Sequence, residues 1–295
     1  MIRPPISVHI WGGFGSQLHG IALQMFLESQ LQRRCKLVFH TSGITERLCE
    51  VQKLLNKTTW VQVLDYDKFK RKGRQKSRSI SSKIKSQILK AARLIVKESL
   101  RKSRVTLFPT NFEDLISIRP WSLSIRGHYA HIHLAVSIYE ELLRSLLNEY
   151  PNIEPVTMVV HFRQGDLIDS GKQWVNRDSI VRLLSQIKIE NNHTSKVFSD
   201  SVKSAEEIKI SSPEFNWQPM NPGVHIGNIL TDCINCQCFV GTTSKISLWA
   251  AFFRIIHPRI NSETWLPSIV KDEYQRSFGS HNLNAINWYE LDKPN

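Results

Sequence analysis

The chain has 295 residues, enough for two domains of ordinary size, and its 41% hydrophobic content reads as a soluble globular protein. No run approaches the ~20 apolar residues of a spanning helix, and Met1-Ile2-Arg3-Pro4-Pro5 lacks a signal-peptide core, so a cytoplasmic protein is expected. The formal charge of +13 has one source: positions 68–104 carry fifteen Lys and Arg against the single acid Glu98, which leaves the rest of the chain near −1.

In chain order, Ile6 to Trp11 reads as a short apolar strand, Gly12, Gly13 and Gly15 as a turn, and Gln17 to Gln32 as a helix. A strand from Lys36 to His40 follows, which completes the opening of a βαβ unit. Trp60 to Leu64 is a third strand. Asp65-Tyr66-Asp67 then has the D-x-D spacing that can hold a divalent ion against a nucleotide diphosphate. It runs straight into Lys68, Lys70, Arg71 and Lys72, cations that compete for the carboxylates, so no metal site is expected there.

Within the basic segment, Ile80, Ile84, Ile88, Leu89, Ala92, Ile95 and Val96 recur at spacings of three and four, the pattern of an amphipathic helix with a cationic face. The apolar stripe is expected to pack on the first domain. The lysine-rich face fits either solvent or the anionic inner surface of the cytoplasmic membrane. Clustered cations also suit a polyanion such as nucleic acid. However, Phe69 is the only aromatic from 68 to 104, so no stacking platform accompanies the charge and nucleic acid is not the expected partner.

His133 to Leu147 reads as a helix, and Tyr150 to Pro155, with two prolines, as a linker. Strand and helix signals alternate beyond it: strands at Val156–Arg163, Lys196–Ser199 and Cys238–Val240, and helices at Arg177–Ile187, Ala205–Ile210, Ile226–Cys233 and Ile246–Phe253. The organisation expected is two α/β domains, 1–153 with the basic insertion at 68–104, and 154–295. The cysteines Cys35, Cys49, Cys233, Cys236 and Cys238 are odd in number and lack the fourth ligand of a zinc site, so reduced, buried thiols are expected.

The most informative stretch is Val159-Val160-His161-Phe162-Arg163-Gln164-Gly165-Asp166. Alternation puts Val159, His161 and Arg163 on one face of the strand and Met158, Val160 and Phe162 on the other. Arg163 then emerges at the carboxyl end of a strand, where open α/β sheets bind ligands, and a guanidinium there can grip phosphate oxygens bidentately. The alternative is that Arg163 pairs with Asp166 across a surface turn.

Two more strands end in polar groups, Val197-Phe198-Ser199-Asp200-Ser201 and Phe239-Val240-Gly241-Thr242-Thr243-Ser244-Lys245. In a doubly wound sheet Arg163, Asp200 and Ser244 would converge on one crevice, although Ser244 is equally suited to capping the next helix. Gly12-Gly13-Phe14-Gly15-Ser16-Gln17-Leu18 places amides at a helix start, which favours an anion, or it is simply a tight turn. It is neither a P-loop nor a good dinucleotide fingerprint.

Together these segments resemble the fucosyltransferases that share an H-x-R-x-x-D motif, closest to the bacterial α-1,2-fucosyltransferases of glycosyltransferase family 11. The family turn G-G-x-G-N-Q-L matches Gly12 to Leu18 with Ser16 in place of Asn. H-x-R-R-G-D-Y matches His161 to Leu167 with Gln164 in place of the second arginine, and F-S-D-D matches Phe198 to Ser201 with Ser201 in place of the second aspartate. L-M-S-x-C followed by N-S-S-F-S-W-W-A-A is matched loosely by Leu230 to Cys233 and Thr243 to Ala251. Gly127-His128-Tyr129 and Asn287-Trp288-Tyr289 show fainter likeness.

The resemblance implies the GT-B fold, two facing Rossmann-like domains, and transfer of L-fucose from GDP-fucose to a hydroxyl of an oligosaccharide or lipid-linked glycan without an obligatory metal cofactor. By the same resemblance Arg163 binds the β-phosphate, His161 and Asp166 shape that pocket, and Asp200, Ser244 and Lys245 line the nucleotide side, while Gly13, Gly15 and Gln17 complete it from the first domain. Asp166 is also a candidate general base, with a purely structural role or transfer with little base assistance as the alternatives. The three departures from the family motifs leave another GDP-deoxysugar open as donor.

Overall fold

The computed structural model describes residues 4–41, 49–55, 60–64, 95–96, 98–151, 156–164, 174–188, 194–219, 223–259, 262–280 and 283–291. The chain divides into two compact units, Met1–Leu134 and Ala135–Asn295. Each is an α/β layer structure around a sheet whose strand pairs are all parallel. This is the α/β, Rossmann-like class expected from the alternation of elements.

In the first unit the strands are β1 (Ile6–Trp11), β2 (Cys35–His40), β3 (Trp60–Leu64), β4 (Thr106–Leu107) and β5 (Ser124–Ile125), in the order β3-β2-β1-β5-β4. Helix α1 (Phe14–Ser29) joins β1 to β2 and starts three positions earlier than the apolar periodicity suggested. The glycine turn is itself the helix start: Gly13 O accepts from the N–H groups of Ser16 (2.9 Å) and Gln17 (3.0 Å). The helix stops before Gln32, whose φ of 51° is left-handed. It lies hard against β1, since a Cβ on Gly20 would come within 2.4 Å of Ile10 Cδ1. A short helix, α2 (Phe112–Ile116), begins at Asn111, whose side chain accepts from Asp114 N–H.

In the second unit helix α3 (Val136–Glu149) precedes β6 (Met158–Phe162), α4 (Arg177–Leu184), β7 (Thr194–Ser199), α5 (Val202–Ser211) and β8 (Asn216–Trp217). Then come α6 (Ile226–Asn235), β9 (Cys238–Val240), α7 (Lys245–Ile256), β10 (Glu263–Pro267), α8 (Lys271–Phe278) and β11 (Asn287–Tyr289). The sheet order is β11-β10-β9-β6-β7-β8.

The division falls before α3 and not at the expected 153/154. Tyr139 of that helix packs edge-on against Trp249 (5.8 Å) and Phe252 (5.0 Å) of α7, so its apolar face is buried in the second core. The alternation expected along β6 is observed. Met158, Val160 and Phe162 join Ile180, Leu183, Ala205 and Ile208 in one cluster, while His161 faces Ser247 of α7.

Most of the basic segment, with the D-x-D triplet and positions 152–155 of the linker, lies outside the described residues. Ile95 and Val96, two members of its apolar stripe, are helical and exposed (68% and 57%), so at this end the stripe does not pack on the first unit as expected. Among the described residues no helix is long and apolar enough to cross a membrane. Cys35, Cys233, Cys236 and Cys238 are free and buried and Cys49 is partly buried; burial pushes the Cys236 thiol up to about 11.

Candidate functional site

Counted from β6, the second sheet has the strand order 6-5-4-1-2-3 of the doubly wound dinucleotide fold. The chain changes its direction of travel between β6 and β9, and the crevice outside their carboxyl ends is where such sheets bind ligands. Arg163 directly follows β6, Asp200 follows β7, and Gly241-Thr242 follows β9.

Thr242, fully buried, ties the first and third of these ends together. Its hydroxyl donates to His161 O (3.1 Å) and accepts from Arg163 N–H (3.2 Å). Thr242 N–H donates to Ser247 Oγ (3.0 Å), which meets His161 Nδ1 at 2.9 Å. Ser247 Oγ thus bridges the Thr242 N–H and the His161 ring. Burial, then the Arg163 charge, lower His161 to about 4 against an opposing pull from Asp200, so the ring is neutral near pH 7. Gly241 makes this closeness feasible, because a Cβ there would meet Leu266 Cδ2 at 2.7 Å and Ser247 Cβ at 2.8 Å.

Arg163 therefore has a fixed backbone and a partly open side chain. Its Nε lies 3.9 Å from Asp200 Oδ2, with the two side chains 29% and 35% exposed, while Asp200 Oδ1 accepts from Gln164 N–H at 3.0 Å. Arg163 and Asp200 are thus brought together at the rim of the sheet. Asp166, the other partner considered for Arg163, lies outside the described residues.

The two neutral departures in the second unit are linked to each other. Ser204 Oγ bridges Gln164 Oε1 (3.1 Å) and Ser201 Oγ (3.0 Å), and Gln164 Nε2 donates to Val175 O (3.3 Å). Ser201 caps α5 by accepting from Ser204 N–H. Gln164 and Ser201 thus form one uncharged network in which each residue suits the other.

At the start of α7, Ser244 is buried and its hydroxyl accepts from Ile246 N–H (3.1 Å), a helix cap of the ordinary kind. Lys245 is the first helical residue, and the first turn contains no acid. Thr243 Oγ1 is buried with no hydrogen-bond partner among the described residues, a state that costs ~1–3 kcal/mol and that a ligand oxygen would relieve.

In the first unit, Gly13 is the cap residue of α1 and Gly15 lies inside the helix. Gln17 is 2% exposed, and its amide donates to Gly12 O (3.0 Å) and accepts from Glu50 N–H (2.9 Å). Phe14 N–H donates to Glu50 Oε2 at 2.6 Å. The helix start read as an anion position is filled by the chain's own carboxylate, and Gln17 works inside the loop instead of reaching outward. Glu50 carries no motif that would have announced this. Thr242 and Ser247 were visible only as hydroxyls near a helix start, and their service to His161 and Arg163 needs the fold.

No protein-family model and no curated protein matches the sequence. Several solved structures are similar. NodZ α-1,6-fucosyltransferase soaked with GDP-fucose shares 13% identity over 84% of this chain and 92% of that one, at a TM-score of 0.43. The E. coli heptosyltransferase WaaC with ADP shares 11% over 98% and 94%, at 0.48, and POFUT1 in complex with GDP shares 13% over 84% and 95%, at 0.39. Functional assignment rests on the residues of the site.

Proposed function

We propose that this chain is an inverting, metal-independent glycosyltransferase of GT-B type. In this reading it moves L-fucose from GDP-fucose to a hydroxyl of a glycan acceptor, in an α-1,2 linkage to galactose of a bacterial surface glycan. One observation carries it: the H-x-R motif ends the first strand of a 6-5-4-1-2-3 sheet, where Arg163, Asp200 and the start of α7 meet. The Arg163–Asp200 pair, at 3.9 Å with both side chains partly exposed, contributes little as an ion pair. A diphosphate offers Arg163 more charge and a bidentate geometry.

In the reaction the acceptor oxygen forms a bond to C1 of the sugar as the C1–O bond to the β-phosphate breaks, and the bonding pair leaves on the phosphate. The acceptor proton passes to a base, for which Asp166 is the candidate. Negative charge accumulates on the departing diphosphate, so Arg163 stabilises the transition state more than the ground state. Lys245 and the Thr243 hydroxyl take phosphate oxygens at the helix start, Ser244 holds that start, and Asp200, at the end of the second strand, is placed for ribose hydroxyls. His161 acts through Thr242 and Ser247 as a positioning residue.

The test is product analysis with GDP-fucose and a panel of galactose-terminated oligosaccharides, with and without EDTA, alongside Arg163→Ala. Removing one such donor typically costs ~100-fold or more in turnover. Unchanged turnover in the variant discards the mechanism. Heat of binding from another GDP-deoxysugar but none from GDP-fucose discards the donor.

A further inference from the structure

The first sheet has a switch point of its own. In the order β3-β2-β1-β5-β4 the chain runs outward from β1 to β2 and β3, then crosses to the other edge as β4 and comes inward as β5 beside β1. The carboxyl ends that meet at this reversal are those of β1, closing at Trp11, and β5, followed at once by Arg126. His40, the register partner of Trp11, closes β2 beside them. The Tyr129 hydroxyl sits at the reversal within hydrogen-bond reach of the carbonyls of His9 and Ile125, one on each strand, and shares its one proton between them.

The side chains gathered here form an aromatic cluster next to an unmatched charge. The Trp11 ring stacks on His40 at 4.2 Å and 10°, which covers one face, and Trp11 remains partly exposed. His9 Nδ1 lies 2.8 Å from His40 Nε2, so one proton is shared between the two rings. Arg126 is exposed, and among the described residues no group forms a hydrogen bond or ion pair with its guanidinium.

Among the described residues, the charges that shift these rings are positive. Burial first, then Arg126, hold His9 down to about 3, with His40 and Lys36 acting the same way, and burial and Arg126 hold His40 down to about 4. The Lys36 ammonium sits over Trp60 (4.3 Å), and Glu50, the acid of the adjoining glycine turn, is engaged by Phe14 N–H. Both imidazoles are neutral at pH 7. His40 presents no ring nitrogen outward, since its Nε2 meets His9 and its Nδ1 is buried, which leaves His9 Nε2 for a hydroxyl and Arg126 as the charge that decides which ligand enters.

We propose that this switch point binds an anionic saccharide, with its carboxylate or phosphate held by Arg126 and its ring stacked on Trp11 beside the His9–His40 pair. A sugar ring presents C–H groups to an aromatic face and hydroxyls to imidazole nitrogens, and a bidentate guanidinium selects a planar or tetrahedral oxyanion over a neutral group. Only its role as the acceptor site rests on the transferase reading above; binding itself does not.

The experiment uses the full chain with labelled histidines, titrated by NMR with methyl galactoside, a galacturonate-terminated disaccharide and galactose 1-phosphate. GDP affinity is measured in parallel by calorimetry. At least one anionic sugar is expected to bind about tenfold or more tightly than the neutral one, and to raise the pKa of the His9–His40 pair by placing negative charge beside it. Arg126→Gln should bring that affinity down to the neutral sugar's while sparing GDP affinity. Preference for the uronate identifies a carboxylate acceptor, and preference for the sugar phosphate a phosphorylated one. Equal affinity for neutral and anionic sugars, or an Arg126→Gln variant that binds the anionic sugar as well as the parent does, overturns the proposal. Arg126-dependent binding without transfer from GDP-fucose to any of these sugars sinks the transferase reading and leaves the site standing. Transfer to neutral sugars with no anionic preference does the reverse.

Discussion

Acidification should unfasten the second unit through His161. An ordinary imidazole titrates at 6.5, whereas burial and the neighbouring Arg163 charge bring this one to about 4. The unfolded chain therefore takes up a proton below pH 6.5 that the folded chain refuses until about pH 4. The neutral ring's contribution is fully present above 6.5, is lost as pH falls from 6.5 to 4, and changes no further below that. At ~1.4 kcal/mol per pH unit the interval amounts to on the order of 3 kcal/mol.

The assay is urea unfolding of the full chain at several pH values between 7 and 4.5, compared with His161→Gln, which can still bond to Ser247 but does not titrate. Carboxylates and the His9–His40 pair are common to both proteins and cancel in the difference. The parent should lose on the order of 2–3 kcal/mol more than the variant over that range. Turnover of the folded protein should not follow that loss and should fall only near pH 4, where the folded ring itself takes the proton and its bond to Ser247 must rearrange. Parallel stability curves for the two proteins would refute this account of His161.

Arg254→Met should lower the thermal midpoint sharply, at a cost of about 3–5 kcal/mol. The buried guanidinium holds the carbonyls of Cys233, Ile234, Cys236, Gln237 and Glu263 together with Thr264 Oγ1, and the apolar replacement removes a donor from each, although Gln237 O keeps Glu263 N–H and Cys233 O keeps the Cys236 thiol. Gly227→Ala should lower the urea midpoint by the equivalent of ~1–3 kcal/mol, since its new methyl would sit 2.6 Å from the Tyr150 ring, itself stacked on His225. Glu50→Ala removes the acceptor of Phe14 N–H, and the start of α1 should show faster amide exchange, equivalent to ~1–2 kcal/mol.

The alternation of short β-rich runs with amphipathic stretches was enough to read β1, β3 and β9 to the residue and nine other elements to within a few positions, but α2, β10, α8 and β11 were not read. Strands β4, β5 and β8 have two residues each and show no period at all. Their existence depends on a neighbouring strand already in place. Arg163 was legible because a cation ending an apolar run is locally conspicuous. Arg254 was not: it sits among apolar residues of α7, and the carbonyls it serves are up to 21 positions away in the chain. Trp11, His9 and His40 were hidden for a similar reason, since only the parallel pairing of β1 with β2 stacks them.

The two switch points show why a glycine-rich turn is weak grounds for an anion site. A helix start attracts negative charge through its unpaired N–H groups and its dipole, but any carboxylate within reach competes for it. In the first unit Glu50 fills that position at 2.6 Å, and the unmatched cation appears one strand away, at Arg126 after β5. In the second unit the start of α7 is capped by the neutral Ser244, has no acid in its first turn, and lies beside the strand end that carries Arg163. Where the chain supplies its own anion, ligand charge has to be met elsewhere on the sheet rim. Where it supplies only a hydroxyl, the helix start and the arginine can act on the same oxyanion. Glu50→Ala and Arg163→Ala should therefore differ in kind, the first changing local stability in the first unit and the second changing turnover.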